Sequence, residues 1–418
     1  MSKIAVLTNF MEFSEGYSLT GIVKDQVTML TKYGHDVHLF VNSAYNGEEF
    51  PGNVTLHKQI PFQHLTDYST KEALSEDDKV IIEKTRVVLV EELKDFDFAF
   101  THDFVFTGWF MIYGFACKEA SRELPKLRWL HWIHSVPTRH SDWWDINDYG
   151  SRHKLVYPNA TDKRQVAENY RGWDKDVRTI HHIKDLRSWF DFDQVTVDFL
   201  DDFPAVMQAD IVQVYPASTD RLSAKRVAEI MRMFSYMKQL GVSVCLVLAN
   251  QWATGRQRKE DVSKFQQIAS RNGLKLNEEV IFTSEWREEY ATGIPKRILR
   301  ELMQCSNLFI FPTREESFGL VAPEAALAGG VLLVLNRSLQ MMFEVMGYTG
   351  IYCDFGSYNN TFKPENEGRY YEDIAKIILG RIRENESIMS KTYVRQHYNY
   401  DYLYKTEYAP VLAESALW

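Results

Sequence analysis

Cysteine is scarce in this chain. Its 418 residues include four cysteines, at widely separated positions: Cys117, Cys245, Cys305 and Cys353. There is no CxxC pair and no His/Cys spacing typical of zinc ligands, so the pattern indicates neither a disulfide framework nor a zinc site. This cysteine usage fits a protein of a reducing cytosol.

Long apolar runs are also lacking. No segment of the sequence approaches the ~20 consecutive apolar residues that span a bilayer. The N-terminus is apolar only briefly before Glu12 and Glu15, which is typical of a first strand and not of a signal peptide. We therefore expect a soluble, cytoplasmic protein without stable membrane insertion, in the host cytoplasm if the source is viral.

The chain has no excess of positive charge. Its formal net charge is −9 and its isoelectric point is near 5.8. Binding to a nucleic-acid backbone needs clustered Lys and Arg, so the composition argues against a generally basic coat. Basic runs at Lys163-Arg164 and 256–259 leave room for one basic face, although such runs are more often a solvated helix or loop surface.

What the sequence does contain is an alternation of short apolar runs with helical patterns. In the N-terminal half it predicts a helix over Ile22–Tyr33 and four strands: Ile4–Thr8, Asp36–Val41, Phe98–Thr101 and Trp129–Ile133. In the C-terminal half it predicts a helix over Ser223–Leu240 and five strands: Ile211–Tyr215, Val242–Leu248, Val280–Phe282, Leu308–Phe311 and Val331–Leu335. This rhythm predicts parallel sheets covered on both faces.

An acidic segment at 191–209 separates the two series of strands. We therefore predict an N-terminal acceptor-binding domain over 1–200 and a C-terminal nucleotide-sugar-binding domain over 201–390. A helical tail over 391–418 is expected to pack back toward the first domain. The predicted fold class is α/β, with two doubly wound, Rossmann-like domains facing across a cleft and ligands at the carboxyl ends of the strands.

The most informative segment follows the strand at Leu308–Phe311. It carries Glu316 and Glu324 eight residues apart, and it runs through a Gly-containing loop into a helix with Pro323 in its first turn. The free N–H groups of a helix start favour an anion, and both carboxylates can accept hydrogen bonds from hydroxyls. An exposed acidic loop is the alternative interpretation.

This segment resembles the glutamate-x-seven-glutamate signature of the retaining GT-B glycosyltransferases of glycosyltransferase family four. The resemblance implies that Glu324 binds the ribose hydroxyls and Glu316 the transferred sugar. It also implies that the backbone of Phe318, Gly319 and Leu320 approaches the sugar diphosphate. Such roles are positional and electrostatic.

A second element lies at the end of the strand at Ile211–Tyr215. The family supplies an Arg and, five residues later, a Lys to the diphosphate. Arg221 matches the Arg and Arg226 occupies the Lys position, with Lys225 as the other candidate. These cations would neutralise the diphosphate without a metal, and the sequence has no Asp-x-Asp motif that would suggest one. We therefore expect no cofactor beyond the nucleotide-sugar donor.

The first domain carries the candidate acceptor residues. The resemblance identifies Gly21 with a glycine-bearing loop near the donor phosphates, although the family usually has two glycines there. His102-Asp103 and His131 follow or end predicted strands, and His134 is the best candidate near the reacting sugar. The candidate catalytic residues are thus His134, Glu316 and Arg221, and the acceptor-binding ones are His102, Asp103, His131 and Arg139.

One segment suggests a different acceptor. The stretch from His131 to Val136, with Arg139 close behind, resembles the His-x-His-Ser-Val region of phage DNA α-glucosyltransferases, with a spacing that differs by one residue. An enzyme of that kind must flip a base out of the duplex and grip nearby phosphates. Modified DNA is therefore an alternative partner.

The sequence as a whole predicts a retaining transferase. It would move a hexose or pentose from a nucleotide-diphosphate sugar, with a UDP-sugar favoured, to a hydroxyl of a saccharide or small molecule. The alternatives are a DNA glycosyltransferase acting on hydroxymethylated bases and a nucleotide-sugar epimerase. A dinucleotide-dependent oxidoreductase is disfavoured because the loop after the first strand lacks Gly-x-Gly-x-x-Gly.

Overall fold

The computed structural model describes residues 1–14, 16–47, 50, 54–61, 73–104, 111–135 and 145–413. The chain divides into two compact units. Unit 1 combines Met1–Lys184 with Tyr400–Trp418, and unit 2 is Asp185–Asn399. Residues 185–200 and 391–399, which the sequence analysis assigned to the first domain and to the tail, therefore lie in unit 2.

Unit 1 is built on a parallel sheet of seven strands within the described residues. The strands are β1 (Lys3–Leu7), β2 (Asp36–Asn42), β3 (Thr55–Ile60), β4 (Phe98–His102), β5 (Arg128–Trp132), β6 (His153–Tyr157) and β7 (Val177–Thr179). Their order is β3-β2-β1-β4-β5-β6-β7, which is the doubly wound order that reverses beside β1. The helices are α1 (Ser18–Lys32), α2 (Glu76–Leu93), α3 (Met111–Glu123) and α4 (Lys163–Asn169).

Unit 2 contains two three-stranded parallel sheets in the described part of the chain. Their strands are β8 (Ile211–Ser218), β9 (Val244–Gln251), β10 (Val280–Phe282), β11 (Leu308–Phe311), β12 (Leu332–Asn336) and β13 (Ile351–Cys353), in the orders β10-β9-β8 and β11-β12-β13. The helices are α5 (Leu186–Trp189), α6 (Gln194–Asp202), α7 (Ala205–Gln208), α8 (Val227–Gln239), α9 (Arg256–Arg271), α10 (Lys296–Gln304), α11 (Val321–Ala328), α12 (Met341–Met346), α13 (Glu367–Arg383) and α14 (Glu386–His397).

Side chains join the two sheets of unit 2 where β8 lies beside β11. The Gln213 amide donates to the Ile310 carbonyl at 3.0 Å and accepts from the Ile310 N–H at 2.9 Å. Asn307 Oδ1 accepts from the Val212 N–H at 2.9 Å. These buried contacts satisfy backbone groups that a continuous ladder would otherwise pair, so the carboxyl ends of β8 and β11 lie next to each other.

The chain ends in unit 1 with α15 (Tyr400–Leu403), a π-helical turn over Tyr404–Tyr408 and α16 (Ala409–Ala413). The Tyr404 ring stacks on Tyr33, which directly follows α1, with centroids 3.6 Å apart. Glu407 Oε2 accepts from the His181 N–H at 2.7 Å. Aromatic stacking and a partly buried carboxylate therefore fix this segment to unit 1.

The α/β class with parallel, doubly wound sheets is confirmed, and each of the predicted strands overlaps an observed one. The observed β8 and β9 both run three residues past their predicted ends, to Ser218 and Gln251. No helix among the described residues is long and apolar enough to cross a bilayer. Within the same residues, no group of three or more His, Cys, Asp or Glu side chains is placed to hold a metal ion.

Candidate functional site

A cavity of ≈ 470 Å³ opens in unit 2 at the carboxyl ends of β8 and β9. Its polar lining comes from five elements that meet at this edge: the ends of the two strands, the segment before α8, and the starts of α10 and α11. The polar side chains of that lining are Ser218, Lys225, Gln251, Lys296 and Glu324. A concave site with a few converging polar groups at this edge is the expected place for a ligand in an open α/β sheet.

The loop between β11 and α11 depends on one glycine. Gly319 has φ +74°, in the left-handed region, and a Cβ there would meet Phe311 Cε1 at 3.1 Å. The loop therefore folds tightly back on the end of β11. Leu320, at the start of α11, then lines the cavity, while Phe318 lies half exposed in the loop.

Glu316 is held by a lysine from the neighbouring strand-to-helix connection. The Lys225 ammonium donates to Glu316 Oε1, and each side chain is 17% exposed. Lys225 also lies over the Phe311 ring, with Nζ 5.9 Å from its centroid. Glu316 and Lys225 thus form a partly buried pair that an incoming anion or hydroxyl can separate by offering either group a new partner.

Glu324 has a corresponding lysine. Its carboxylate, in the first turn of α11, accepts from the ammonium of Lys296 at the start of α10. Both residues line the cavity. Glu324 and the two lysines therefore line this space, and Glu316 is paired with one of those lysines, so the site combines acceptors for hydroxyls with cations for phosphate oxygens.

The structure separates the two candidates for the family's Lys position. Arg226 is left-handed, with φ +54°, and its guanidinium donates to Glu229 of α8 at 2.9 Å. Lys225, not Arg226, lines the cavity. The side chain of Arg226 thus turns toward α8, so the structure favours Lys225 over Arg226 for the predicted Lys position.

Arg221 ends the short 3-10 turn Thr219–Arg221 after β8. Its guanidinium pairs with Glu315, beside Glu316, and remains 44% exposed. Arg221 therefore lies on the same face of unit 2 as the Lys225–Glu316 pair, although it does not line the cavity itself.

Sequence reasoning did not find several lining residues, among them Gln251, Gly293 and Lys296. Gly293 has φ +123°, and a Cβ there would meet Gln251 Cβ at 2.9 Å. Only glycine fits this close approach, and the Gly-Ile-Pro run just before α10 is the signal that could have revealed it. Lys296 is the first residue of α10 and directly follows Pro295. A proline beside a helix start is also a recognisable pattern.

In unit 1, two of the predicted histidines are in direct contact. His102 Nδ1 lies 2.9 Å from His134 Nε2, and their rings stack with centroids 5.1 Å apart. Burial lowers the pKa of His102 to about 3 and that of His134 well below its usual value, so both rings are neutral. The ring of His182, which sequence reasoning did not single out, stacks on His134 at 5.2 Å.

Asp103 lies beside this cluster. It adopts φ +57°, and Oδ1 accepts from the His134 N–H at 3.1 Å. Burial raises the pKa of its carboxyl to about 6. A carboxyl that titrates near neutrality next to two neutral imidazoles is the kind of group found in functional sites.

His131 is corrected. Its side chain is 1% exposed, and both ring nitrogens are paired, Nδ1 with Thr101 Oγ1 and Nε2 with His153 Nδ1, at 2.9 Å each. No ring nitrogen is left for a ligand, so His131 is a structural residue of the sheet and not an acceptor contact.

Two further expectations concern unit 1. Helix α1 begins at Ser18, so Gly21 lies within its first turn and not in a loop before it. A Cβ at Gly21 would meet no atom within 4 Å, so no close backbone approach requires this glycine. Arg139 lies outside the described residues.

No family model and no curated protein matches this chain. Among solved structures, a Rickettsia africae glycosyltransferase is similar at 12% identity and TM-score 0.34, covering 98% of this chain and 97% of its own. Anabaena HepE in complex with UDP-glucose is similar at 13% identity and TM-score 0.33, covering 99% and 100%. The N-terminal domain of Candida albicans trehalose-6-phosphate phosphatase is similar at 12% identity and TM-score 0.36, covering 99% and 96%. At these values the likeness establishes neither a shared activity nor a shared substrate.

Proposed function

We propose that this chain is a GT-B glycosyltransferase that takes a nucleotide-diphosphate sugar, with a UDP-sugar favoured, as its donor. The observation that carries the proposal is the charged cluster of unit 2, in which Glu316 and Glu324 are each paired with a lysine that lines the cavity. A diphosphate needs cations, and a ribose or hexose needs acceptors for vicinal hydroxyls. This site supplies both within one loop and two helix starts.

In this proposal Glu324 accepts from the ribose hydroxyls and Glu316 from the hydroxyls of the transferred hexose or pentose. Lys225 and Arg221 neutralise the diphosphate as its bond to the anomeric carbon breaks. The positive, N-terminal end of the α11 dipole supports the same negative charge. Retention at the anomeric carbon through a front-face displacement is part of the proposal, and an inverted product would contradict it.

The acceptor we propose is a hydroxyl of a saccharide or small molecule. The DNA alternative depended on His131 and Arg139; the first is in the core and the second lies outside the described residues. Hydroxymethylated DNA is therefore kept as one arm of an acceptor screen. An epimerase would instead change the donor sugar or release nucleotide without any acceptor.

The test is binding of UDP and of a panel of nucleotide sugars, measured by calorimetry and by thermal shift. A ligand at one hundred times its dissociation constant should stabilise the fold by about 2.7 kcal/mol. We expect Glu324→Gln to weaken UDP binding by about tenfold or more, because two hydroxyls lose a charged acceptor.

The matched control is Glu278→Gln. Glu278 precedes β10 at the opposite edge of the sheet and pairs with Lys275. This variant should bind UDP as the wild type does. If no nucleotide binds, or if both variants bind equally well, the donor site is not where we place it.

A further inference from the structure

Four buried side chains of unit 1 form a continuous chain of hydrogen bonds that ends at His134. Tyr408 OH lies 3.0 Å from Gln26 Nε2, and Gln26 Oε1 lies 3.0 Å from His102 Nε2. His102 Nδ1 then lies 2.9 Å from His134 Nε2. Gln26, His102 and Tyr408 are at most 3% exposed, so water does not compete for these contacts.

The order of donors along this chain fixes the protons on both rings. Gln26 Nε2 donates to Tyr408, so Gln26 Oε1 faces His102 and accepts from its Nε2–H. A neutral imidazole has one N–H, so His102 Nδ1 carries a lone pair and accepts from His134 Nε2–H. His134 Nδ1 is then left without a proton.

His134 Nδ1 is buried and has no hydrogen-bond partner among the described residues. A buried, unpaired acceptor costs free energy unless something else satisfies it. The contrast with His131 is direct, because both nitrogens of that ring are used inside the sheet. His134 is thus the ring that keeps one acceptor for a group from outside the chain.

We propose that Tyr408, Gln26 and His102 are positioning residues that hold His134 as its Nε2–H tautomer, so that Nδ1 accepts a hydrogen bond from a substrate hydroxyl. This inference rests on the proposed function only for the identity of that hydroxyl, on the sugar or on its acceptor. The tautomer itself follows from the contacts.

The proposal also gives the C-terminal segment a role in the site. Tyr408 ends the π-helical turn Tyr404–Tyr408, a geometry often found at functional sites. The turn is held by the Tyr404–Tyr33 stack and by Glu407, whose Oε1 lies 2.7 Å from His181 Nδ1. The end of the chain thereby sets the orientation of the Gln26 amide and, through it, the tautomer of His134.

The first measurement is the tautomer, by nitrogen-15 NMR of the histidine-labelled full-length protein, with His134→Gln used to assign the His134 signals. We expect an unprotonated Nδ1 and a protonated Nε2 on His134. The reverse pattern would mean that the Gln26 amide has the opposite orientation, and it would overturn the proposal. This readout does not depend on catalysis, so it stands even if no nucleotide sugar is turned over.

The second measurement uses Gln26→Met, which keeps the length of the side chain and removes both polar groups. His134 should lose its single tautomer, while His131, in its separate chain with His153, keeps its signals and serves as the internal reference. With the nucleotide sugar selected in the binding panel, kcat/KM should fall about tenfold, which corresponds to one hydrogen bond of about 1.4 kcal/mol. The dissociation constant for UDP should not change.

Tyr408→Phe tests the far end of the chain and should show the same effects, each smaller than in Gln26→Met. An unchanged His134 tautomer in Gln26→Met would overturn the proposal. So would a loss of UDP affinity equal to the loss of kcat/KM, because that result indicates a general structural defect.

Discussion

The candidate sites of the two units are built from opposite kinds of polar side chain, charged in unit 2 and neutral in unit 1. In unit 2, carboxylates and ammonium groups form ion pairs at a partly open edge, as at Lys225–Glu316 and Lys296–Glu324. In unit 1, neutral imidazoles and an amide form a buried chain in which one nitrogen of His134 remains unpaired. Charge suits a diphosphate, whereas a fixed neutral acceptor suits a hydroxyl, because a buried charge would cost far more to desolvate.

The difference also appears in how histidine is distributed. Of the twelve histidines, only His397 lies in unit 2. Seven described histidines of unit 1 have pKa values lowered chiefly by burial, and besides His35 and His57 the lowering is large in five of them: His102, His131, His134, His153 and His182. We therefore expect a fall in pH to destabilise unit 1 before it destabilises unit 2.

The largest expected effect is this loss of stability in acid. In the folded protein the pKa is about 3 for His102 and His131 and about 4 for His182, against about 6.5 in the unfolded chain. At a pH between these two values, each such histidine binds fewer protons in the folded state than in the unfolded state. Stability should therefore fall as the pH drops below about 6.5, by about 1.4 kcal/mol per pH unit for each such group. Asp103, with its pKa raised to about 6, acts in the opposite direction over part of this range, as one group against five.

Hydrogen exchange read by mass spectrometry checks this prediction at pH 7.5 and 5.0, after correction for intrinsic exchange. Amides of β4, β5 and β6 should lose protection at the lower pH, while those of β8 and β9 keep theirs. Equal loss in both units would mean that the buried histidines do not determine the acid stability.

The next effect concerns the charged site. Glu316→Gln keeps the shape of the side chain but removes the charge that Lys225 holds in place. We expect kcat to fall about 10² to 10³-fold, as for loss of one group that stabilises charge in a transition state. The dissociation constant for UDP should change by less than about threefold, because Glu316 is assigned to the sugar.

Steady-state kinetics and calorimetry measure both quantities, with Glu278→Gln as the control. A comparable loss of UDP affinity would place Glu316 in the nucleotide subsite and would exchange its role with that of Glu324.

The smallest effect separates two adjacent cations. Lys225→Met should raise the dissociation constant for UDP about tenfold, because Lys225 lines the cavity and is available to a phosphate. Arg226→Met should change it by less than about threefold, since its guanidinium pairs with Glu229. Calorimetry on the two variants decides the assignment, and the reverse order would restore Arg226 as the diphosphate ligand.

Much of the fold could be predicted because buried parallel strands are continuous apolar runs. β8, β9 and β11 were found in this way, and so was the α/β class. The sequence analysis missed β6, a buried strand that begins with the polar residues His153 and Lys154. It also did not identify β3 (Thr55–Ile60), which has exposed polar residues at the edge of the sheet, or the three-residue strands β7 and β13. Short or edge strands bury too little apolar surface to leave a pattern.

The candidate site was predictable to the extent that it lies in one continuous segment. Glu316, Gly319 and Glu324 are eight residues or fewer apart, and the turn, the helix start and the carboxylates follow from local spacing. Lys225 and Arg226 could not be told apart, because they are adjacent in sequence and only the left-handed backbone of Arg226 sends its side chain elsewhere.

By itself the sequence determined the parallel α/β architecture, the loop at Glu316–Glu324 and the presence of histidines at the ends of β4 and β5. Only the tertiary structure decided which histidine has both ring nitrogens paired and which keeps one nitrogen unpaired among the described residues. His131 and His134 are three residues apart, but Thr101 and His153 come from neighbouring strands, and Gln26 and Tyr408 from segments 382 residues apart. The hydrogen-bond partners of a buried side chain come from any segment that the fold places beside it, and spacing along the sequence does not reveal those partners.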